Sequence, residues 1–425
     1  MRPHVDEPAL PHTTILQHAP GWTLFENVYM SNGTLFIVLP PTHTNRTDLP
    51  PIRKMISRRM RVGDRYIDRE PDERTMQYVT LDAARSRWTR GTWSVEGTTW
   101  LFNDPPKILL SHYFHACAEI VLGAWAFYIG KYDPTLRKKR VEHADVPPVQ
   151  RIVFSDNSAG DWRDRTRFTS FFLYAAFPSA SIEGREDWTD RAWMTRHGAS
   201  SWRFERLLLQ DRQAGKRGRE PCIAAEAYAA VSPSLSSLWW EPVRQSVLRV
   251  AGAQPAEAEK DKVVVTYVSR QLGIKRKLRT EDHLALVASL KELCSRRGWE
   301  FSFFDAARYE QEEQMHAAAR TTVMVGVHGN GLTHLLHMPP GPQSTVIEIF
   351  YPGGWTSDYE FPARARGLKH FSVWNDTAFT FPHPKEVKRT YPAGKDGDGG
   401  FQGSQIPVHA ESVARLVEQR IDGKA

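Results

Sequence analysis

Thr322-Val323-Met324-Val325-Gly326-Val327-His328-Gly329-Asn330-Gly331-Leu332-Thr333-His334 is an apolar run that breaks into closely spaced glycines. A continuous apolar run without alternation is the pattern of a strand buried on both faces of a parallel sheet. Glycines at its carboxyl end let the backbone approach a ligand closely. A short helix is expected behind them, and its free N–H groups and positive dipole end suit a phosphate. The dipole end contributes only about 0.3–2 kcal/mol, so a diphosphate needs added cationic side chains.

The pattern repeats on both sides of this stretch. Upstream, Val263-Val264-Val265-Thr266-Tyr267-Val268 reads as a second buried strand. A helix is expected over Glu281–Arg297, with Thr280 as its N-cap, apolar positions Leu286, Val287, Leu290, Leu293 and Cys294 at helical spacing, and Gly298 as the C-cap glycine. Trp299–Phe304 and Val346–Phe350 read as further strands and Glu310–Arg320 as a helix. Strand, helix, strand, helix, strand is the order of a doubly wound parallel sheet, whose ligands bind at the carboxyl ends of the strands.

Arg270 directly follows the first of these strands, and Arg276 lies shortly after it, so both are expected beside the glycine turn. Guanidinium groups contact phosphate oxygens through charge-assisted, paired hydrogen bonds. Glu348, inside an apolar strand, calls for a partner: either ribose hydroxyls or a nearby arginine. The dinucleotide fingerprint Gly-x-Gly-x-x-Gly and the Gly-Lys-Ser/Thr of a P-loop are both absent. The turn therefore indicates a phosphate or nucleotide without indicating the chemistry.

Towards the N-terminus the pattern is less regular. Residues 1–20 lack periodicity and are expected to be a disordered tail, and 21–245 form a first lobe. The segment 246–262, rich in Ala, Glu and Pro, reads as a linker ahead of the phosphate-binding lobe at 263–385. A loop at 386–408, containing the glycine-rich Gly394–Gly403, and a helix within 409–425 complete the chain. In the first lobe Ile108-Leu109-Leu110 reads as a short strand leading into a helix over Ser111–Tyr128. On that helix His112, His115 and Glu119 share one face. Either a histidine or the glutamate there suits a general base; a polar structural network is the alternative, and three ligands make a poor metal site. Asp164 closes the carboxylate-rich loop that begins at Asp156, which reads as either a catalytic loop or an Asp-rich turn. Asp396-Gly397-Asp398 has the spacing of a metal–nucleotide motif, but no strand flanks it and it reads as a surface loop.

Composition bounds these readings. The 425 residues are 41% hydrophobic and 25% charged, as expected of folded domains. The net charge of +7 comes from 56 basic and 49 acidic residues. The basic runs, Arg137-Lys138-Lys139-Arg140 and the Lys216-Arg217-Gly218-Arg219 stretch, are short and sit near loop signals, and no nucleic-acid module is present. Cys117, Cys222 and Cys294 have no metal-ligand spacing, and Cys117 and Cys294 fall on apolar helical faces. No run reaches the roughly 20 apolar residues of a membrane span, and Met1-Arg2-Pro3-His4 opens no signal-peptide core. The expectation is a protein of the cytosol, or one recorded without an N-terminal anchor. Sequons occur at Asn32, Asn45 and Asn375.

Taken in order, several of these stretches resemble glycosyltransferase family 61: Phe25-Glu26-Asn27-Val28-Tyr29, His112-Tyr113-Phe114-His115 with Glu119, Ala176-Phe177-Pro178, and Thr266-Tyr267-Val268-Ser269-Arg270 with Arg276-Lys277-Leu278. The most specific are Val325 through His334 and Val346-Ile347-Glu348-Ile349. The resemblance spans residues from about 20 to 375. It implies an α/β fold of the GT-B type, two Rossmann-like lobes with a cleft between them, and an inverting transfer from a UDP-sugar without a required metal. The sugar is N-acetylglucosamine, xylose or another pentose, and the acceptor is a protein or glycan hydroxyl. It further implies that Arg270, Arg276, His328 and the turn Gly329, Asn330, Gly331, Leu332 hold the diphosphate and that Glu348 holds the ribose. For such a transfer the base expected in the N-terminal lobe is Glu119, His112 or Asp164, with His115 on the acceptor side. Asn330 stands where the family has a small residue such as Ala. Residence in the Golgi or endoplasmic reticulum lumen is implied, although the usual anchor is not in this sequence. A non-catalytic nucleotide or glycan binder and a basic nucleic-acid-binding protein are the alternatives.

Overall fold

The structure, a computed structural model, describes residues 10–41, 48–62, 65–105, 109–132, 146–254, 262–394 and 399–425. The Asn45 sequon, Arg137-Lys138-Lys139-Arg140 and Asp396-Gly397-Asp398 lie outside them. The chain is a mixed α/β protein divided into two units, Met1–Ser236 and Ser237–Ala425.

The first unit is built on strands β1 (Thr14–Ala19), β2 (Trp22–Ser31), β3 (Thr34–Leu39), β4 (Arg58–Val62), β5 (Arg65–Arg69), β6 (Met76–Thr80), β7 (Thr92–Phe102), β8 (Val149–Phe154), β9 (Ser181–Glu183) and β10 (Ser201–Gln210). The main sheet runs β6-β3-β2-β10-β7-β8-β9, with β1 paired to β2 and β4-β5 a separate hairpin. Strands β10, β7, β8 and β9 are mutually parallel, and β2 is antiparallel to β10. The tail expected through residue 20 gives way to β1 at Thr14, whose register on β2 pairs Thr14 with Glu26 and Ala19 with Trp22.

Over the segment expected as one helix from Ser111, the chain forms a π-helix, Phe114–Val121, continued by an α-helix, Leu122–Tyr132. His112 precedes the helix, and Leu109 and Leu110 belong to a turn rather than a strand. The segment is buried nearly all round, which is why its apolar residues show no single stripe.

The second unit follows the sequence closely. Its strands are β11 (Val264–Ser269), β12 (Glu300–Asp305), β13 (Val323–Val327), β14 (Thr345–Phe350), β15 (Lys369–Trp374) and β16 (Thr377–Phe379), in the order β12-β11-β13-β14-β15-β16. All pairs are parallel except the last. The chain winds from β11 outward to β12, then returns to place β13 on the other side of β11. The reversal makes the β11/β13 boundary the switch point of a doubly wound sheet, where ligands settle outside the strand ends. Helix Thr280–Arg297 packs against the C-terminal helix Ala410–Ile421, and both bury Val, Leu and Ile on the sheet. Gly298 ends the first of these at φ 66° as a left-handed cap, while its N-cap is Arg279 rather than Thr280.

The division between units falls at Ser236/Ser237, ahead of the linker expected at 246–262. The reason is local. Trp239 Nε1 donates to the Ala365 carbonyl, Trp240 Nε1 to Leu336 and Arg244 Nε to His337, fastening helix Glu241–Val250 to the second unit.

Candidate functional site

The end of β11 and the end of β13 meet at the switch point. Gly329 adopts φ 153°, a conformation that disfavours a side chain, and a Cβ there would lie 2.1 Å from Arg270 Nη1 and 2.6 Å from its Cζ. The Arg270 guanidinium therefore rests on bare backbone. Gly331 is also confined, since its Cβ would come within 2.8 Å of Val268 Cγ1. From Asn330 the chain forms a 3₁₀ helix, Asn330–His337, opening at this corner. The far end of that helix is tied down: Arg244 donates to the His337 carbonyl and Arg366 to the carbonyls of Leu335 and Met338. Two guanidiniums at a helix C-terminus satisfy orphan carbonyls and complement the dipole. They hold the opposite, N–H-bearing end in place.

Arg270 and Arg276 face a common neighbourhood. Burial pulls Arg270 down to about 10, and the positive charge of Arg276 adds to the shift. Arg270 Nε and Arg276 Nε are both buried and meet no acceptor among the described residues. Arg276 itself sits at φ 58°, a left-handed conformation uncommon for a residue with a long side chain. Two like charges with unmet donors, one of them on a disfavoured backbone, form an arrangement that an anion would complete.

His328 directly precedes the glycine corner and is 6% exposed. Its Nδ1 lies 2.6 Å from Glu348 Oε1, and its Nε2 lies 3.9 Å from Asp358 Oδ2. Phe350, Tyr359 and Phe401 surround the ring, with centroids 5.2–5.5 Å away. Glu348 is fully buried, and its other oxygen lies 2.8 Å from His370 Nε2. Glu348, which calls for a partner from the sequence, has both oxygens engaged by histidines, and it orients His328. Burial, with Asp358 and Glu360 nearby, pushes the Glu348 carboxyl well up, and burial pulls His370 down to about 3.

Phe401 belongs to the glycine-rich loop Gly394–Gly403, whose residues 399–403 lie against residues 276–279, where Arg276 N–H donates to Gln402 and Lys277 N–H to Gly403. Gly400, at φ 54°, has no room for a Cβ, which would fall 2.3 Å from Gly394 N. Gly354 is equally tight against Phe401, at 2.6 Å from Cδ2. The density of glycine here was the available signal: it marks tight packing rather than a free loop. Asp358, Tyr359, His370 and Phe401 carried no motif and were not anticipated.

In the first unit the strand ends supply another polar cluster. His115 Nδ1 lies 2.7 Å from Glu119 Oε2, and Arg212 Nη1 donates to the same oxygen at 2.7 Å. Arg212 also donates to Asp104 Oδ2 through Nε and Nη2, each at 3.2 Å. Burial alone would raise the Glu119 carboxyl, but Arg212 and His115 outweigh it and hold the group at about 2. A carboxylate so stabilised is a poor base. Asp164 accepts from Thr169 N–H at 2.7 Å and from the Thr166 hydroxyl, so it serves the start of helix Phe168–Ala176. The structure brings His112, His115 and Glu119 together, with the two imidazoles 5.0 Å apart.

The corner at β11/β13 sets paired arginines over a glycine backbone beside a helix start. A scan of protein families matches Glycosyltransferase 61 over residues 113–347. That is more than half of the chain, which belongs to glycosyltransferase family 61 and is a glycosyltransferase. A search of curated proteins finds no match. Among solved structures, the glycosyl transferase family 9 from Veillonella parvula DSM 2008 is similar with a TM-score of 0.37 and 10% identity, covering 77% of this chain and 97% of that one. Among the described residues, no helix is long and apolar enough to cross a membrane.

Proposed function

We propose that the chain transfers a sugar from a UDP-linked donor to a hydroxyl of a glycan or protein acceptor, with inversion, using a fold of the GT-B type. One observation carries the reading: Arg270 lies on the Gly329 backbone beside Arg276, with both Nε–H groups buried and unmet. A diphosphate supplies the missing acceptors, and the helix start at Asn330 adds N–H donors. Gly329, Asn330, Gly331 and Leu332 shape the corner, and His328, held by Glu348, offers its Nε2 side. Two guanidiniums meet the charge that develops on the departing diphosphate, so the reaction needs no divalent metal.

The acceptor oxygen attacks the anomeric carbon in one displacement. The bond from that carbon to the phosphate oxygen breaks, and UDP leaves with the electron pair. The acceptor proton passes to a base in the first unit. With Glu119 held ionised at low pKa and Asp164 serving a helix start, His112 is the candidate we favour, and His115 stands beside it on the acceptor side. The sequons at Asn32 and Asn375 sit exposed at turns, which suits a secretory compartment.

The test is UDP binding by calorimetry and thermal shift in EDTA. Wild type should bind and melt higher, by the mass-action stabilisation of any ligand that prefers the folded state. Arg270→Ala should lose the shift while melting normally without ligand. Wild-type binding that requires a divalent metal, or an Arg270→Ala variant that binds normally, contradicts the reading.

A further inference from the structure

Away from the arginine corner, the first unit contains a cavity of about 240 Å³ that the chemistry above leaves unused. It opens where β7 and β8 end. Asn103, Ser155 and Asp156 come from those strand ends, Arg58 and Arg74 from the opposite wall, and Trp188 from helix Arg185–Met194.

The polar groups are built in. Asn103 Nδ2 donates to Asp211 Oδ2 at 2.5 Å, and the same carboxylate accepts from Ser57 N–H at 2.8 Å. Ser155 Oγ donates to Asn103 Oδ1 at 3.3 Å. Helix Arg185–Met194, which carries Trp188, is tied to the end of β8 by Arg185 N–H donating to the Asn157 carbonyl at 2.9 Å. Arg58 is ion-paired with Asp72, which also receives the Arg74 backbone N–H.

The cavity is contiguous in sequence with the His115–Glu119 cluster. Asn103 and Asp211 serve the cavity side, whereas their chain neighbours Asp104 and Arg212 bond each other and Arg212 also bonds Glu119. Successive residues leaving a strand point to opposite faces, so two strand ends furnish both.

We propose that this cavity is a subsite for a neutral sugar ring of the acceptor, an inference that rests on the transfer proposed above. An indole beside fixed amide, hydroxyl and carboxylate groups matches a ring with an apolar face and a rim of hydroxyls. The carboxylate of Asp156, and the pairing of Arg58 with Asp72, disfavour a phosphate here.

The test is saturation-transfer NMR on the full chain. The probes are methyl β-xyloside, methyl β-galactoside, methyl α-mannoside and methyl N-acetyl-β-glucosaminide, with N-acetylthreonine methylamide as a peptide control. At least one glycoside should respond. Asp156→Asn and Arg74→Ala should each weaken that response at least fivefold, and UDP should still raise their melting temperatures as in wild type. Trp188→Ala should abolish the response, with Trp188→Phe retaining part of it as the control for folding. No glycoside response, a response from the peptide control alone, or glycoside responses equal in all variants overturns the subsite. Loss of the UDP shift in wild type instead overturns the donor reading, and the glycoside result is scored independently of it.

Discussion

Arg270 and Gly329 are in contact so close that no side chain can come between them: a Cβ on Gly329 would sit 2.1 Å from Arg270 Nη1. Gly329→Ala must therefore displace the guanidinium and also force an L-residue into φ 153°. The expected result is at least a hundredfold loss of transfer, in the range for removal of one charge-stabilising donor group. Backbone strain should cost about 1–3 kcal/mol of stability. Steady-state kinetics and a denaturant titration read the two effects separately, and near-normal activity would show that the contact is not needed.

Arg270→Lys tests the planar, forked character of the group. A lysine keeps the charge but not the paired geometry. Activity should fall tenfold or more. Stability should hold or fall slightly, because the lysine keeps the charge beside Arg276 and an ammonium is more strongly hydrated than a guanidinium. A variant that keeps full kcat/KM would mean that charge alone suffices.

Glu119→Gln removes one of the two carboxylates that neutralise buried Arg212. Breaking a buried pair from one side costs about 3–5 kcal/mol. Urea unfolding should show that loss, and the variant should retain UDP binding, because the donor residues lie in the other unit.

Acid should destabilise the fold well above the carboxylate range. His334 and His370 are each pulled down to about 3, and His18 to about 4, chiefly by burial. A histidine with a lowered folded pKa is neutral in the native state, while the unfolded chain takes up protons below about 6.5. The stability it contributes is intact above that pH and is lost as pH falls towards the folded value. At pH 5 each ring costs on the order of 2 kcal/mol relative to pH 7. Melting temperature measured from pH 7.5 to 4.5 should fall steadily from about pH 6.5, and His370→Asn should flatten the slope. A flat profile down to pH 5 would contradict the burial of these rings as neutral groups.

Phe401 covers one face of His328 and is almost fully buried. Phe401→Ala should cost about 3–5 kcal/mol, as for other buried aromatic truncations. It should also weaken UDP binding by loosening His328. Calorimetry under conditions where the variant remains folded checks the second effect.

The second unit was largely legible in the sequence because its central strands are buried on both faces. Val263–Val268 and Val346–Phe350 could be nothing but interior, and Gly298 marked a helix end that the structure confirms. The arginine–glycine corner was legible for the same reason: residues directly after parallel strands must emerge at one edge. The first unit was less so. Its sheet mixes parallel and antiparallel pairs, so β10 and β1 had neighbours that no local pattern specifies. The histidine partners of Glu348 were not legible, because a carboxylate in an apolar strand indicates a partner without naming it, and His370 carried no motif. The helix Glu241–Val250, which straddles the expected lobe and linker, was not legible, since the tryptophans that anchor it reach carbonyls about a hundred residues away in sequence.

The π-helix at Phe114–Val121 has a consequence for how this region tolerates change. Leu122 N–H reaches back to the Cys117 carbonyl, five residues earlier, so the coil holds a wider loop than an α-helix would. Deleting any single residue there would let the coil tighten towards α-helical geometry and shift the side chains on one flank relative to the other. Glu119 would then swing out of register with Arg212, whatever the chemical character of the residue removed. The apolar side chains along this segment are open to exchange for others of similar volume, but the number of residues between His115 and Leu122 is fixed.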